Sequence, residues 1–125
     1  MEFNQPKGIY QQIADRMRDR ILQGEWRPGE RIPSIRELAV SIGVNPNTIT
    51  KSYQSLMEKE IIENQRGLGY FVAEGAKPRI LADLKDEFIR SELPRVFKTM
   101  RLLGMDVDEF AHHFNGHVGV DDDEN

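Results

Sequence analysis

The sequence predicts a mainly α-helical protein with one small β-hairpin. Apolar residues recur at helical spacing in the early part of the chain and again beyond residue 78. Helix-capping residues and glycines divide the first half into short elements. Two short apolar runs flank a glycine-rich turn between residues 61 and 72, which is typical of a hairpin.

Length and composition limit the class of protein. The chain has 125 residues, of which 38% are hydrophobic and 30% charged, so we expect one ordinary domain or a small domain with an appendage. It has no cysteine, which excludes disulfide and thiol chemistry. It has no apolar run of about 20 residues and no secretory signal pattern. We therefore expect a cytoplasmic protein without a membrane partner.

Charge is distributed unevenly along the chain. The net charge of −4 argues against nucleic-acid binding, which usually needs a basic surface. Residues 1–78, however, carry 11 Lys and Arg against 10 Asp and Glu, a net +1. Residues 79–125 carry 6 against 11, a net −5, and we expect residues 117–125 to form a disordered acidic tail. Anion binding by the first part must therefore depend on local placement of charge.

The first half contains signals for three helices. Apolar residues every fourth position from Ile9 to Ile21 predict the first helix, which Gly24 ends. Ser34 and Glu37 form a capping box that starts the second, and Gly43 ends it. The third begins with two signals of its own, an N-cap asparagine and a proline at the first helical position, and continues to about residue 59.

The order of these elements predicts a winged helix-turn-helix. The second and third helices are joined by only three or four residues that include a glycine. A hairpin with strands at residues 61–64 and 70–72 follows as the wing. Residues 73–78 are small, polar and proline-ended, which predicts a linker. We therefore expect a winged domain over residues 1–75.

Residues 76–116 are expected to form a helical tail. Pro94 either kinks a long helix or starts a new one, and Asp106 with Glu109 could cap a last short helix. About 40 residues cannot form a large core alone. The tail therefore either packs on its own winged domain or pairs with a second chain. The apolar positions predicted to pair in a homodimer are Leu81, Leu84, Phe88, Val96, Met100 and Leu103.

The third helix has the chemistry of a recognition helix. Such a helix places its N-terminal side chains at base edges in the major groove. Asparagine suits adenine, and threonine can donate, accept or offer a methyl group. No acid occurs between Asn45 and Met57, although a merely solvated helix face would also be polar, and Asn45 could be occupied as the cap. The side chains expected at this end are Asn45, Asn47, Thr48, Thr50 and Lys51.

These motifs closely resemble the GntR family of bacterial transcription regulators. The resemblance covers about residues 8–73, including the string from Ile32 to Ala39 and the ending from Gly67 to Val72. Many members have an arginine where this chain has Pro46, so that DNA contact cannot be transferred. The string over residues 44–48 and the short tail resemble the YtrA subgroup, whose tail implies dimerisation. The resemblance implies DNA contacts from the third-helix residues named above. It implies further contacts outside that helix, from Ser34, Arg36, Arg66 and Gly67.

Other functional classes have weaker support. His113 and His117 are four residues apart, but nearby glycines and the lack of a third spaced ligand argue against a metal site. We found no nucleophile with a base and no phosphate-loop motif, so we expect neither an enzyme nor a cofactor. The prediction is a homodimeric, sequence-specific regulator of double-stranded DNA, most simply a repressor, whose effector the sequence does not indicate. The alternative is a winged-helix module that binds proteins.

Overall fold

The computed structural model describes the backbone of residues 8–124 and the side chains of residues 8–117. The chain divides into two compact units between Asp83 and Leu84. The elements in chain order are α1 (Ile9–Leu22), β1 (Arg31–Ile32), α2 (Ile35–Ile42), α3 (Pro46–Glu58), β2 (Ile62–Gln65), β3 (Gly69–Val72), α4 (Ala76–Glu87), a π-helical turn (Phe88–Glu92), α5 (Leu93–Leu103) and α6 (Val107–Glu124).

The predicted helix-turn-helix is confirmed, together with its capping chemistry. The Ser34 hydroxyl accepts a hydrogen bond from the Glu37 backbone N–H at 3.0 Å, and the Glu37 carboxylate accepts one from the Ser34 N–H at 2.8 Å. Gly43 ends α2 in the left-handed conformation at φ 70°, which glycine adopts without strain. Asn45 is the N-cap of α3. The turn between the helices is therefore three residues long.

The hairpin is also confirmed, and a third strand joins it. All pairs are antiparallel in the order β1-β3-β2, with Ile62 opposite Val72 and Ile32 opposite Tyr70. Strand β1 has only two residues, which is too short to show an alternating pattern in the sequence. Its pairing with β3 holds the segment before α2 against the hairpin.

Helix α3 is anchored from beneath by fully buried side chains. Ile49, Tyr53 and Leu56 have no exposed surface. The Tyr53 hydroxyl donates a hydrogen bond to the Pro33 carbonyl at 2.5 Å, and its ring contacts Tyr70 edge-on with centroids 4.9 Å apart. Burial raises the pKa of Tyr53 well above its usual range, so the hydroxyl keeps its proton and remains a donor. One side chain thus ties α3 to both the start of α2 and the sheet.

Replacing Tyr53 by phenylalanine should lower the free energy of unfolding by about 1–3 kcal/mol, because the part-buried Pro33 carbonyl loses its donor. The matched control is Tyr10→Phe, since within the described residues the Tyr10 hydroxyl makes no hydrogen bond. Urea unfolding of both variants measures the difference. Equal midpoints for the two variants would show that the Tyr53–Pro33 hydrogen bond contributes nothing to stability.

The prediction that residues 73–78 form a linker is wrong. Ala73 and Ala76 are buried, and α4 already begins at Ala76. Pro78 lies in its first turn, where a missing N–H costs no hydrogen bond. Ile80, one turn further, is fully buried. The first compact unit accordingly extends to Asp83, beyond the boundary predicted at residue 75.

Ion pairs and hydrogen bonds also join the start of α4 to the rest of the first unit. The Asp83 carboxylate accepts hydrogen bonds from Arg18 of α1 at 3.0 Å and from Lys59, which follows α3, at 2.8 Å. The Arg18 side chain is only 11% exposed and also pairs with Asp15. The Arg79 guanidinium donates to the Glu60 carbonyl at 2.8 Å. The start of α4 is thus part of the winged unit.

The second unit consists of helical segments. Pro94, where the sequence left a kink or a new start open, is the second residue of α5, which begins directly after the π-helical turn ends at Glu92. Asp106 caps α6 by accepting from the Glu109 N–H at 2.9 Å, as predicted. Helix α6 continues to Glu124 and so includes residues 117–124 of the predicted acidic tail, whose last residue, Asn125, lies outside the described residues. Its two internal glycines cost only about 1 kcal/mol each in a helix. Among the described residues, no helix is long and apolar enough to cross a membrane.

Candidate nucleic-acid interface

The exposed N-terminal end of α3 carries the candidate base-reading side chains. Asn47 and Lys51 are exposed and Thr48 is half-buried. None of the three side chains makes a hydrogen bond within residues 8–117, where side chains are described. Because the buried face of α3 is fixed from beneath, these groups are held on a rigid support with their hydrogen-bonding capacity available.

Two of the predicted α3 side chains are already engaged by the backbone. The side-chain amide oxygen of Asn45, Oδ1, accepts from the Asn47 backbone N–H at 2.7 Å, which completes the N-cap. The Thr50 hydroxyl donates to the Pro46 carbonyl at 3.0 Å. Recognition of adenine by asparagine needs the amide oxygen and nitrogen together. In this conformation Asn45 is left with its amide NH₂ group, and Thr50 with its methyl group and lone pairs.

Arg36 lies in the first turn of α2 and is exposed. Ser34, by contrast, is half-buried and its hydroxyl serves the capping box. Hydrogen bonds from Ser34, and then the positive charge of Arg31, hold the pKa of the exposed Glu37 carboxyl below its usual range. This acid stays ionised and occupied with the cap, while Arg36 offers a positive charge at the same helix end.

The wing presents the remaining predicted residues. Arg66 and Gly67 are both exposed at the tip of the hairpin. Gly67 has φ 80° and open space around its Cα, so its conformation rather than crowding requires glycine. Sequence reasoning missed Arg31, whose Nε donates to the Leu68 carbonyl at 3.2 Å. The contact joins residues 37 positions apart, and no local pattern could have indicated it.

The second unit has an open apolar groove. Its volume is about 440 Å³, and its apolar lining includes Val96, Met100 and Leu103 from the predicted pairing residues together with Met105 and Phe110. Of the other predicted pairing residues, Leu84 is half-buried, while Phe88 is 46% exposed and Leu81, which belongs to the first unit, is 51% exposed. Helix α5 buries none of its residues.

The three histidines do not gather into a metal site in the described part of the chain. His112 and His113 contact each other edge-on, with ring centroids 5.9 Å apart. No group of three potential ligands, counting His, Cys, Asp and Glu, occurs among residues with described side chains. The described side chains thus form no metal-ligand cluster, whereas α3 and the wing carry exposed polar and basic groups.

Comparison with known proteins agrees with this arrangement. Residues 9–72 match the family described as bacterial regulatory proteins, gntR family. The chain belongs to the GntR family. It is 41% identical to YhcF, an uncharacterized HTH-type transcriptional regulator of Bacillus subtilis, over 86% of this chain and 88% of that protein. This GntR-family chain is thus a transcriptional regulator with a DNA-binding domain.

The similarity to two further proteins extends beyond the winged unit. The HTH-type transcriptional repressor YtrA of Bacillus subtilis is 34% identical over 90% of this chain and 85% of its own length, in agreement with the predicted subgroup. A GntR-family regulator from Bacteroides thetaiotaomicron has a similar crystal structure, with a TM-score of 0.82 and 39% identity over 91% of this chain and 99% of that one. These relatives are named as regulators, in agreement with the prediction that the chain is not an enzyme.

Proposed function

We propose that the chain is a cytoplasmic, homodimeric repressor that binds a pseudo-palindromic operator. The observation that carries the proposal is the N-terminal end of α3. There Asn47, Thr48 and Lys51 have unoccupied side chains, no acid lies nearby along the helix, and the opposite face is fully buried. Asn47 and Thr48 would read bases, while Lys51 and the helix N-terminus would contact phosphates.

Dimerisation is supported by the apolar surface of the second unit. Leu103 and Phe114, for example, are 68% and 62% exposed. Soluble monomers rarely expose so many large apolar side chains, and such a surface is typical of a protein–protein interface. A two-fold dimer would place two α3 helices on half-sites separated by about one helical turn of DNA, or a multiple of it. Repression is supported by the name of the relative YtrA.

In vitro selection from a random duplex library tests the proposal. The full chain should enrich an inverted repeat, and light scattering should give twice the monomer mass for the protein alone and the mass of two chains plus one duplex for the complex. Enrichment of a single unrepeated motif would contradict the dimeric mode of binding. No enrichment at low salt would contradict sequence-specific binding altogether.

A further inference from the structure

One arginine outside the predicted set lies against the wing, beside strand β3. Arg31 is the first residue of β1 and is exposed, whereas the next residue, Ile32, is buried in the core. Because side chains alternate along a strand, Arg31 lies on the outer face of the sheet, in register with Phe71. It is therefore exposed to solvent.

The wing turn fixes the direction of this side chain. Arg31 Nε donates to the Leu68 carbonyl at 3.2 Å, and the guanidinium covers Gly69. A Cβ at Gly69 would lie 2.9 Å from Arg31 Nε and 3.5 Å from Nη2, so the absence of a side chain there makes room for the arginine. Within the described residues, neither Nη1 nor Nη2 has a hydrogen-bond partner. Two donors are thus held in place without an acceptor.

Arg31 also acts electrostatically on the start of α2. Its positive charge is one of the causes, after the hydrogen bonds from Ser34, that hold the pKa of the Glu37 carboxyl below its usual range. The guanidinium that contacts the wing turn thus also acts on the end of α2 that carries Arg36. Its charge offsets that of Glu37 on a surface that would face the DNA backbone.

We propose that Arg31 is a further phosphate-binding residue, whose two free terminal nitrogens take one DNA phosphate between the wing and the start of α2. The inference rests on the proposed DNA binding and adds a contact to it. A guanidinium can donate from Nε to the protein and from both Nη groups to a phosphate, because its five N–H groups point in fixed directions. A lysine has a single nitrogen and cannot hold this arrangement.

Fluorescence anisotropy titrations over a range of salt concentrations test this contact. The probes are the duplex recovered by selection and a scrambled duplex of equal length. Arg31→Ala should weaken binding to both about 5- to 10-fold per half-site and reduce the salt slope by about one per half-site, hence by about two for the dimer, because a phosphate contact is independent of sequence. Arg31→Lys should keep the salt slope with a smaller loss. The matched control is Arg27→Ala, which removes an exposed arginine from the preceding turn and should change affinity less than twofold.

The outcomes separate the inference from the function on which it rests. If wild type binds the selected duplex and Arg31→Ala behaves like Arg27→Ala, the phosphate contact is refuted and DNA binding stands. If wild type binds neither duplex, both proposals fail. Thermal unfolding followed by circular dichroism checks that each variant is folded, and Arg31→Lys carries the test if the alanine variant is not.

A double mutant excludes an indirect effect through the wing. The losses from Arg31→Ala and Arg66→Ala should add in log affinity if each arginine holds its own phosphate. If Arg31→Ala has no effect once Arg66 is removed, Arg31 acts only by shaping the wing, and the proposed contact is wrong.

Discussion

Replacing Met100 and Leu103 together by aspartate should convert the protein to a monomer and weaken operator binding a hundredfold or more. Both side chains line the apolar groove of the second unit, where a charge would have to be buried against a partner. Two linked half-site contacts gain about 10²–10⁴ in affinity over one, and that gain is lost with the dimer. Light scattering and anisotropy with the selected duplex measure the two effects.

Leu102→Asp is the matched control for this experiment. Leu102 is 83% exposed on the same helix but does not line the groove, so the same chemical change should leave the dimer intact. A monomeric Leu102→Asp together with a dimeric Met100/Leu103 variant would place the pairing surface on another face of α5. Far-UV circular dichroism should show equal helix content in all three proteins, since α5 buries none of its residues.

The features predicted correctly from sequence are those decided within one turn of chain. Ser34 and Glu37 of the capping box are three positions apart, and Asn45 and Asn47 of the N-cap are two positions apart. In such cases the residue types alone satisfy the free backbone groups at a helix end. The recognition helix and its exposed polar end could therefore be predicted with little knowledge of the fold.

The features that were missed depend on contacts distant in sequence. Strand β1 exists because Arg31 and Ile32 pair with β3, nearly forty residues later. The supposed linker at residues 73–78 has the composition of a loop, yet Ala76 is buried because its small side chain fits against the winged unit. Gly75 and Pro78 lower the helix propensity of this segment, but tertiary packing overrides such a preference. The role proposed for Arg31 belongs to the same class.

From the sequence, Asn45 could be occupied as the cap, and the structure shows that Thr50 is engaged as well. Asn45 and Thr50 use polar atoms on their own helix, whereas Asn47 and Thr48 do not. A side chain that already makes a backbone hydrogen bond must give it up before using the same atom on a base. We therefore expect the specificity of the chain to be concentrated in Asn47 and Thr48.

The second large effect follows from this difference. Asn47→Ala and Thr48→Val should each cost about 1–3 kcal/mol per lost base contact on the selected duplex, and roughly twice that in a dimer with two identical half-sites. Thr48→Val keeps the shape and a methyl group, so its loss reports the hydroxyl alone. Binding to a scrambled duplex should change little, because phosphate contacts supply that affinity.

Lys51→Ala and Gln54→Ala complete the comparison. Lys51→Ala should weaken binding to both duplexes equally and reduce the salt slope, as expected for a phosphate contact. Gln54, exposed on α3 beyond its N-terminal turns, should tolerate alanine. Repeating the selection with Asn47→Ala provides the sharpest measurement, since one position in each half-site should lose its preference while the rest of the repeat is retained. If the recovered repeat keeps every preference, Asn47 does not read a base, and specificity must come from other side chains or from DNA shape.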